Sequence, residues 1–134
     1  MPTPHDLILF DLDGTLSDPL VGIGCSINYA LTHFGYPARE LKQLSACIGP
    51  PLDESFRALT GVTTQSHIEA LVAKYRERYA DVGYSENVLY PGIPEALRTL
   101  SDAGVAMGVC TSKRVDFAEQ ILEMFGLRNH FRFV

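Results

Sequence analysis

The sequence lacks an excess of basic charge, a cysteine framework and any long apolar run. Lys and Arg number 11 against 16 Asp and Glu, for a formal net charge of −5. General binding of a nucleic acid polymer, which needs a basic footprint, is therefore not expected, although a local site can still take an anion. The cysteines are Cys25, Cys47 and Cys110, an odd count with no C-x-x-C spacing. That argues against a disulfide framework or a zinc site, and for a reducing compartment such as the cytoplasm. The longest clean apolar stretch, Val105–Cys110, falls far short of the ~20 residues that span a bilayer, so no membrane partner is expected. Residues 1–6 contain no basic region, and only Leu7 to Phe10 follow as an apolar run, so no leader is expected either. There is no internal repeat. What is present is a chain of 134 residues with 46% hydrophobic content, enough for one domain or for a small core carrying an insertion.

The order of elements points to an α/β fold. Leu7–Phe10 is a continuous apolar run of the kind that forms a strand buried on both faces, and it stops at Asp11-Leu12-Asp13-Gly14-Thr15. Helical spacing follows in Val21, Ile23, Ile27, Ala30, Leu31 and Phe34, with Gly35 and Pro37 as the stop. A second helix after Gly49-Pro50-Pro51 carries Leu52, Phe56 and Leu59 and ends at Gly61, and a third runs from near Thr64 to Gly83. Residues 17–85 thus read as a purely helical block. After the turn Tyr90-Pro91-Gly92, a helix through Leu97 closes at Gly104. Val105–Cys110 reads as a second buried strand, residues 114–125 as a helix, and Phe131–Val134 as the opening of a third strand. Strand, helix, strand, helix, strand implies a parallel sheet with right-handed crossovers, and the helical block is an insertion after its first strand. Three short strands, the last unfinished at Val134, leave this sheet incomplete.

Asp11 and Asp13 fall at the carboxyl end of the first strand, the end where open α/β sheets bind ligands. Two carboxylates at this spacing suit a nucleophile paired with a proton donor, or a hard divalent cation; an Asx-turn or a cap explains them as well. Thr111-Ser112-Lys113 ends the second strand. Its hydroxyls, amides and ammonium suit a phosphate, and a helix N-cap by Thr111 or Ser112 is the plain alternative. Both motifs end neighbouring strands of one sheet, so they should converge.

Phe10-Asp11-Leu12-Asp13-Gly14-Thr15-Leu16 resembles the first motif of the haloacid dehalogenase superfamily, and Cys110-Thr111-Ser112-Lys113 its second. Asp18, Ile48-Gly49-Pro50-Pro51-Leu52 and Tyr90-Pro91-Gly92-Ile93 bring the likeness closer to phosphoglycolate phosphatases and 5'-nucleotidase-like phosphatases. The resemblance implies a Rossmann-like core over residues 1–16 and 86–134 and a helical cap over residues 17–85. It implies Asp11 as the nucleophile forming an aspartyl-phosphate and Asp13 as the acid and base. Mg²⁺ would sit between the Asp11 carboxylate, the Asp13 carbonyl and the phosphate, and Thr111, Ser112 and Lys113 would bind phosphate. Gly49, Pro50 and Arg57 become candidates for substrate contact from the cap. An acid at position 13 favours phosphoryl chemistry over dehalogenation, because an alcohol leaving group needs a proton.

The expected function is Mg²⁺-dependent hydrolysis of a small phosphorylated metabolite, with a phosphosugar mutase or a non-catalytic fragment as alternatives. The family's third-strand Lys and later acidic pair find no counterpart before Val134, so the activity is expected of a longer protein, with Lys113 at most a partial stand-in for that Lys. Oligomeric state is left open. Cys110 is expected in the core. His5, His33, His67 and His130 read as surface or cap residues, and Lys74, Arg76 and Arg78 as a solvated face.

Overall fold

A computed structural model describes residues 7–134, so the reading of the N-terminus as leaderless and the reading of His5 lie outside the described residues. The elements follow in the order β1 (Ile8–Phe10), β2 (Ser17–Asp18), α1 (Leu20–His33), α2 (Leu52–Thr60), α3 (Gln65–Asp81), β3 (Val88–Leu89), α4 (Ile93–Asp102), β4 (Met107–Val109) and α5 (Val115–Met124). Short 3₁₀ turns occupy Leu41–Cys47, Gly83–Glu86 and Arg128–His130. The chain divides into two units. One comprises residues 7–18 and 88–134, the other residues 19–87.

In the first unit β1 and β4 pair in parallel, with Ile8, Leu9 and Phe10 opposite Met107, Gly108 and Val109. The Ile8 amide donates to Ala106 O at 3.0 Å and the Cys110 amide to Phe10 O at 2.8 Å, so the ladder extends to both strand ends. Met107 and Val109 are buried, as are Phe117, Ile121 and Leu122 on one face of α5. Phe131–Val134 does not form the third strand that its apolar character suggests. Two hydrogen bonds still lay it along β4, Arg132 N–H to Met107 O at 2.8 Å and Val109 N–H to Phe133 O at 3.1 Å. The Phe131 ring meets Phe10 edge to face, with centroids 6.1 Å apart.

β2 and β3 correct the reading of a purely helical block from residue 17. Ser17 and Asp18 are extended and pair antiparallel with Leu89 and Val88. This ribbon sets the departing and returning chain side by side where the second unit is inserted. Two residues are too few for any periodicity to announce a strand, and the partner lies some 70 positions away.

The second unit is helical, with α1 packed on α3 and α2 on α3. Tyr75 and Tyr79 stack inside it, 5.5 Å between centroids and 10° between planes, as core rather than as a recognition platform. Arg78 is not on a solvated face. It grips Glu86 at 2.7 and 3.3 Å and donates to Ser26 Oγ at 3.2 Å, tying α3 to α1 and to the 3₁₀ turn. Lys74 pairs with Glu77 at 2.8 Å.

Gly22 lets this unit close. A Cβ there would stand 2.1 Å from the carbonyl oxygen of Gly83 and 3.0 Å from its carbonyl carbon. Helix propensity alone favours Ala over Gly by about 1 kcal/mol, but here backbone blocks the added methyl. Gly22→Ala is therefore expected to destabilise by about 1–3 kcal/mol, the usual cost of overpacking. Urea unfolding measures it, and a variant as stable as the parent would refute the packing argument.

Candidate active site

Beyond β1 the chain folds into a tight loop built on Leu12. That residue is fully buried, and its carbonyl oxygen accepts the amides of Thr15 (3.2 Å), Leu16 (2.9 Å) and Ser17 (3.2 Å). Gly14, at φ +80°, supplies the left-handed residue that the loop requires, and its amide donates to Ser17 O at 2.8 Å. Asp11 and Asp13 flank the anchored Leu12. Asp11 is exposed, and its carboxylate is oriented by the Leu12 amide, which donates to Oδ1 at 2.7 Å.

At the end of β4 the Lys113 amide donates to Thr111 Oγ1 at 3.1 Å. This hydroxyl bond bends the loop. The helix itself begins later, at Val115, and carries no side-chain N-cap. Thr111 thus shapes the turn and does not cap α5, while Ser112 is exposed in the same turn. Cys110 is exposed, contrary to its expected place in the core, because β4 ends one residue earlier at Val109.

The turn sends Lys113 back to β1. Its ammonium lies 3.1 Å from Asp13 Oδ2, and the two side chains are only 9% and 15% exposed. Lys113 is therefore not the solvated cation that its place before a helix suggests. The other Asp13 oxygen, Oδ1, is buried without a hydrogen-bond partner among the described residues. Burial pushes the Asp13 carboxyl above the usual aspartate value, the charge and hydrogen bond of Lys113 pull it back, and the Asp11 charge pushes it up again; the net displacement is upward.

The first unit thus gathers Asp11, Asp13, Thr111, Ser112 and Lys113 at the carboxyl ends of two paired strands. Gly49, Pro50 and Arg57 belong to the second unit. Gly49 and Pro50 are exposed there, and Arg57 holds Asp53 at 3.2 Å and Gln65 at 2.6 Å. What the sequence did not disclose is the Lys113–Asp13 pair. Its one local signal is a Lys two residues after a Thr that can bend the chain.

Magnesium takes hard oxygen ligands and keeps several waters. Asp11 and Asp13 bring such oxygens, and an unpartnered buried carboxylate oxygen is the kind of atom that a cation or a reacting group satisfies. Among the described residues no cluster of three or more His, Cys, Asp or Glu forms. The Asp11 carboxylate and the Asp13 backbone carbonyl are oxygens of the kind that would suit such an ion.

The opposing influences on Asp13 are separable. With chelator present, ¹³Cγ NMR should place its titration above the ordinary aspartate value of 3.8. Asp11→Asn should lower it and Lys113→Met should raise it, because each removes the contribution of known sign. A shift in the opposite direction for either variant would contradict this electrostatic account.

Comparison with known proteins shows the family. Residues 8–134 match the family model for haloacid dehalogenase-like hydrolases. The chain is 41% identical over 128 residues to the tyrosine-protein kinase PtkA of Mycobacterium tuberculosis, covering 96% of this chain and 43% of that protein. Its similarity to the PtkA structure has a TM-score of 0.83, over 96% of this chain and 58% of that one. It is 42% identical to a 5'-nucleotidase of Pseudomonas aeruginosa, over 93% of this chain and 56% of the relative. A phosphoglycolate phosphatase of Vibrio parahaemolyticus is 37% identical, over 93% and 58%. The chain therefore spans about half the length of these curated relatives. With the strand-end acids in place and the match running over residues 8–134, this chain belongs to the haloacid dehalogenase-like hydrolase family.

Proposed function

We propose that this chain carries the nucleophile, the general acid and the phosphate-facing loop of a Mg²⁺-dependent phosphatase for small phosphate monoesters. The observation that carries the reading is the strand-end pair: Asp11 open to solvent, and Asp13 half-buried, its Oδ1 buried without a hydrogen-bond partner among the described residues. The likeness to relatives named 5'-nucleotidase and phosphoglycolate phosphatase supports it.

An Asp11 carboxylate oxygen attacks phosphorus, and the bond from phosphorus to the ester oxygen breaks. Asp13 delivers its proton to that departing oxygen, which leaves as an alcohol. The upward displacement of the Asp13 carboxyl suits this, because a donor must hold its proton close to working pH. Asp13, now a carboxylate, then takes a proton from the water that opens the aspartyl-phosphate, and inorganic phosphate departs. Thr111 and Ser112 offer hydroxyl and backbone donors to the phosphate at the neighbouring strand end. The Asp11 carboxylate and the Asp13 carbonyl would hold Mg²⁺, which when bound supplies the positive charge that lets an anion approach an anion.

A second reading draws on the likeness to the protein named PtkA. The same nucleophile and acid serve phosphoryl transfer to a hydroxyl acceptor when that hydroxyl takes the place of water. The phosphatase reading is preferred because water needs no acceptor site.

The test is hydrolysis of p-nitrophenyl phosphate by a protein of the relatives' full length that carries this chain, with Mg²⁺ and with chelator. Turnover should need Mg²⁺ and fall to background in Asp11→Asn. In the wild-type chain, acid quenching during turnover should trap phosphate on Asp11. Equal rates in wild type and Asp11→Asn would end the proposal. Transfer to an added alcohol that outruns release to water would favour the second reading.

A further inference from the structure

The Lys113 ammonium and the Asp13 carboxyl meet at 3.1 Å where little water can screen them, with side chains 9% and 15% exposed. An exposed pair of this kind contributes little; this one has given up hydration on both sides, and the other oxygen of the same carboxyl has no hydrogen-bond partner among the described residues. Both ends are held by backbone. Asp13 follows the anchored Leu12, and Lys113 closes the turn whose amide bonds Thr111 Oγ1.

We infer that Lys113 is a positioning residue for the general acid: it grips the Asp13 carboxyl at Oδ2 and sets a fixed cation against the charge left there when the proton departs. This rests on the phosphoryl-transfer reading above. An ammonium has donors and no acceptor, so the oxygen facing it stays an acceptor whether or not the carboxyl is protonated. As the bond from phosphorus to the ester oxygen breaks, the Asp13 proton passes to the ester oxygen, and its electron pair stays on Asp13. The negative charge that develops there faces a fixed cation. Such a contact strengthens along the reaction and therefore lowers the barrier rather than merely aiding binding. It differs from direct phosphate binding by Lys113, which would aid every ester alike.

The experiment compares two esters on the same longer protein with Mg²⁺. Phenyl phosphate releases a poor leaving group that needs a proton, and 2,4-dinitrophenyl phosphate releases a stable anion that does not. kcat/KM reports the steps up to departure of the leaving group, so later action of Asp13 on water does not enter. Lys113→Met should shift the ratio of the two kcat/KM values about 30-fold against phenyl phosphate, a part of the 10²–10⁴ that a general acid contributes. Lys113→Arg, which keeps a cation, should recover most of that shift. In an Asp13→Asn background the same Lys113→Met change should move the ratio no further, since the residue through which it acts is gone. Should Lys113→Met fail to fold by thermal melting, Lys113→Gln replaces it in each comparison. Parallel loss on both esters, or an effect that persists in Asp13→Asn, would overturn the inference and leave the proposed function standing. If the wild-type longer protein hydrolyses neither ester, the proposed function fails and the inference fails with it.

Discussion

Ile8, Leu9 and Phe10 lie in parallel register with Met107, Gly108 and Val109, and the chemistry at the strand ends depends on this ladder. Each strand contributes one short loop. One loop is rich in acids and the other carries hydroxyls and an ammonium, and about 100 positions of sequence separate them. A parallel pair requires a crossover connection, so the chain must leave and return before the two loops can meet. A register slip of one residue would turn Asp11 and Asp13 to the opposite face of the sheet. The ladder is reinforced on the far side of β4, where Phe131 packs against Phe10 and the segment after it bonds to Met107 and Val109.

Within that frame the loop after β1 is organised by a residue with no chemistry of its own. Leu12 buries its side chain and receives three amides on its carbonyl, so the two flanking carboxyls inherit a rigid base. The acids then diverge through environment alone. Asp11 stays open to solvent with one amide bond. Asp13 loses water, gains Lys113 on one oxygen and keeps the other unpartnered. Leaving a buried carboxyl oxygen unsatisfied costs on the order of 1–3 kcal/mol, which a purely structural turn would have no reason to bear. Two identical side chains with different surroundings are how one loop can hold both a nucleophile and a proton donor.

Much of the fold was legible because its signals are local. The apolar periodicity of α1 and α3 and the glycines closing α2 and α5 can be read within a dozen residues. The features that escaped are non-local. Ser17–Asp18 becomes a strand only because Val88–Leu89 returns beside it. Arg78 resembles any other cation on a polar helix until Glu86 and Ser26 arrive from two other elements. Phe131–Val134 has the composition of a strand and even its hydrogen bonds to β4, yet it follows a 3₁₀ turn and does not settle into regular pairing. At the site, Asp11, Asp13 and Thr111 could be named from motif and position. The partner of Lys113 could not, because it depends on how far the Thr111 turn bends the chain.

That turn explains why a lysine placed for phosphate is found on an acid. Seen from the sequence, Lys113 is a cation beside a strand end, and an anionic substrate is its natural partner. Seen in the fold, the hydroxyl of Thr111 captures the Lys113 amide and directs the side chain toward β1 before any helix begins. An ammonium at 3.1 Å from a desolvated carboxyl is not readily drawn away, because leaving would strand both charges in a poorly hydrated place. The second motif thus acts on the first: its hydroxyl sets the loop, and its lysine holds the acid by one oxygen.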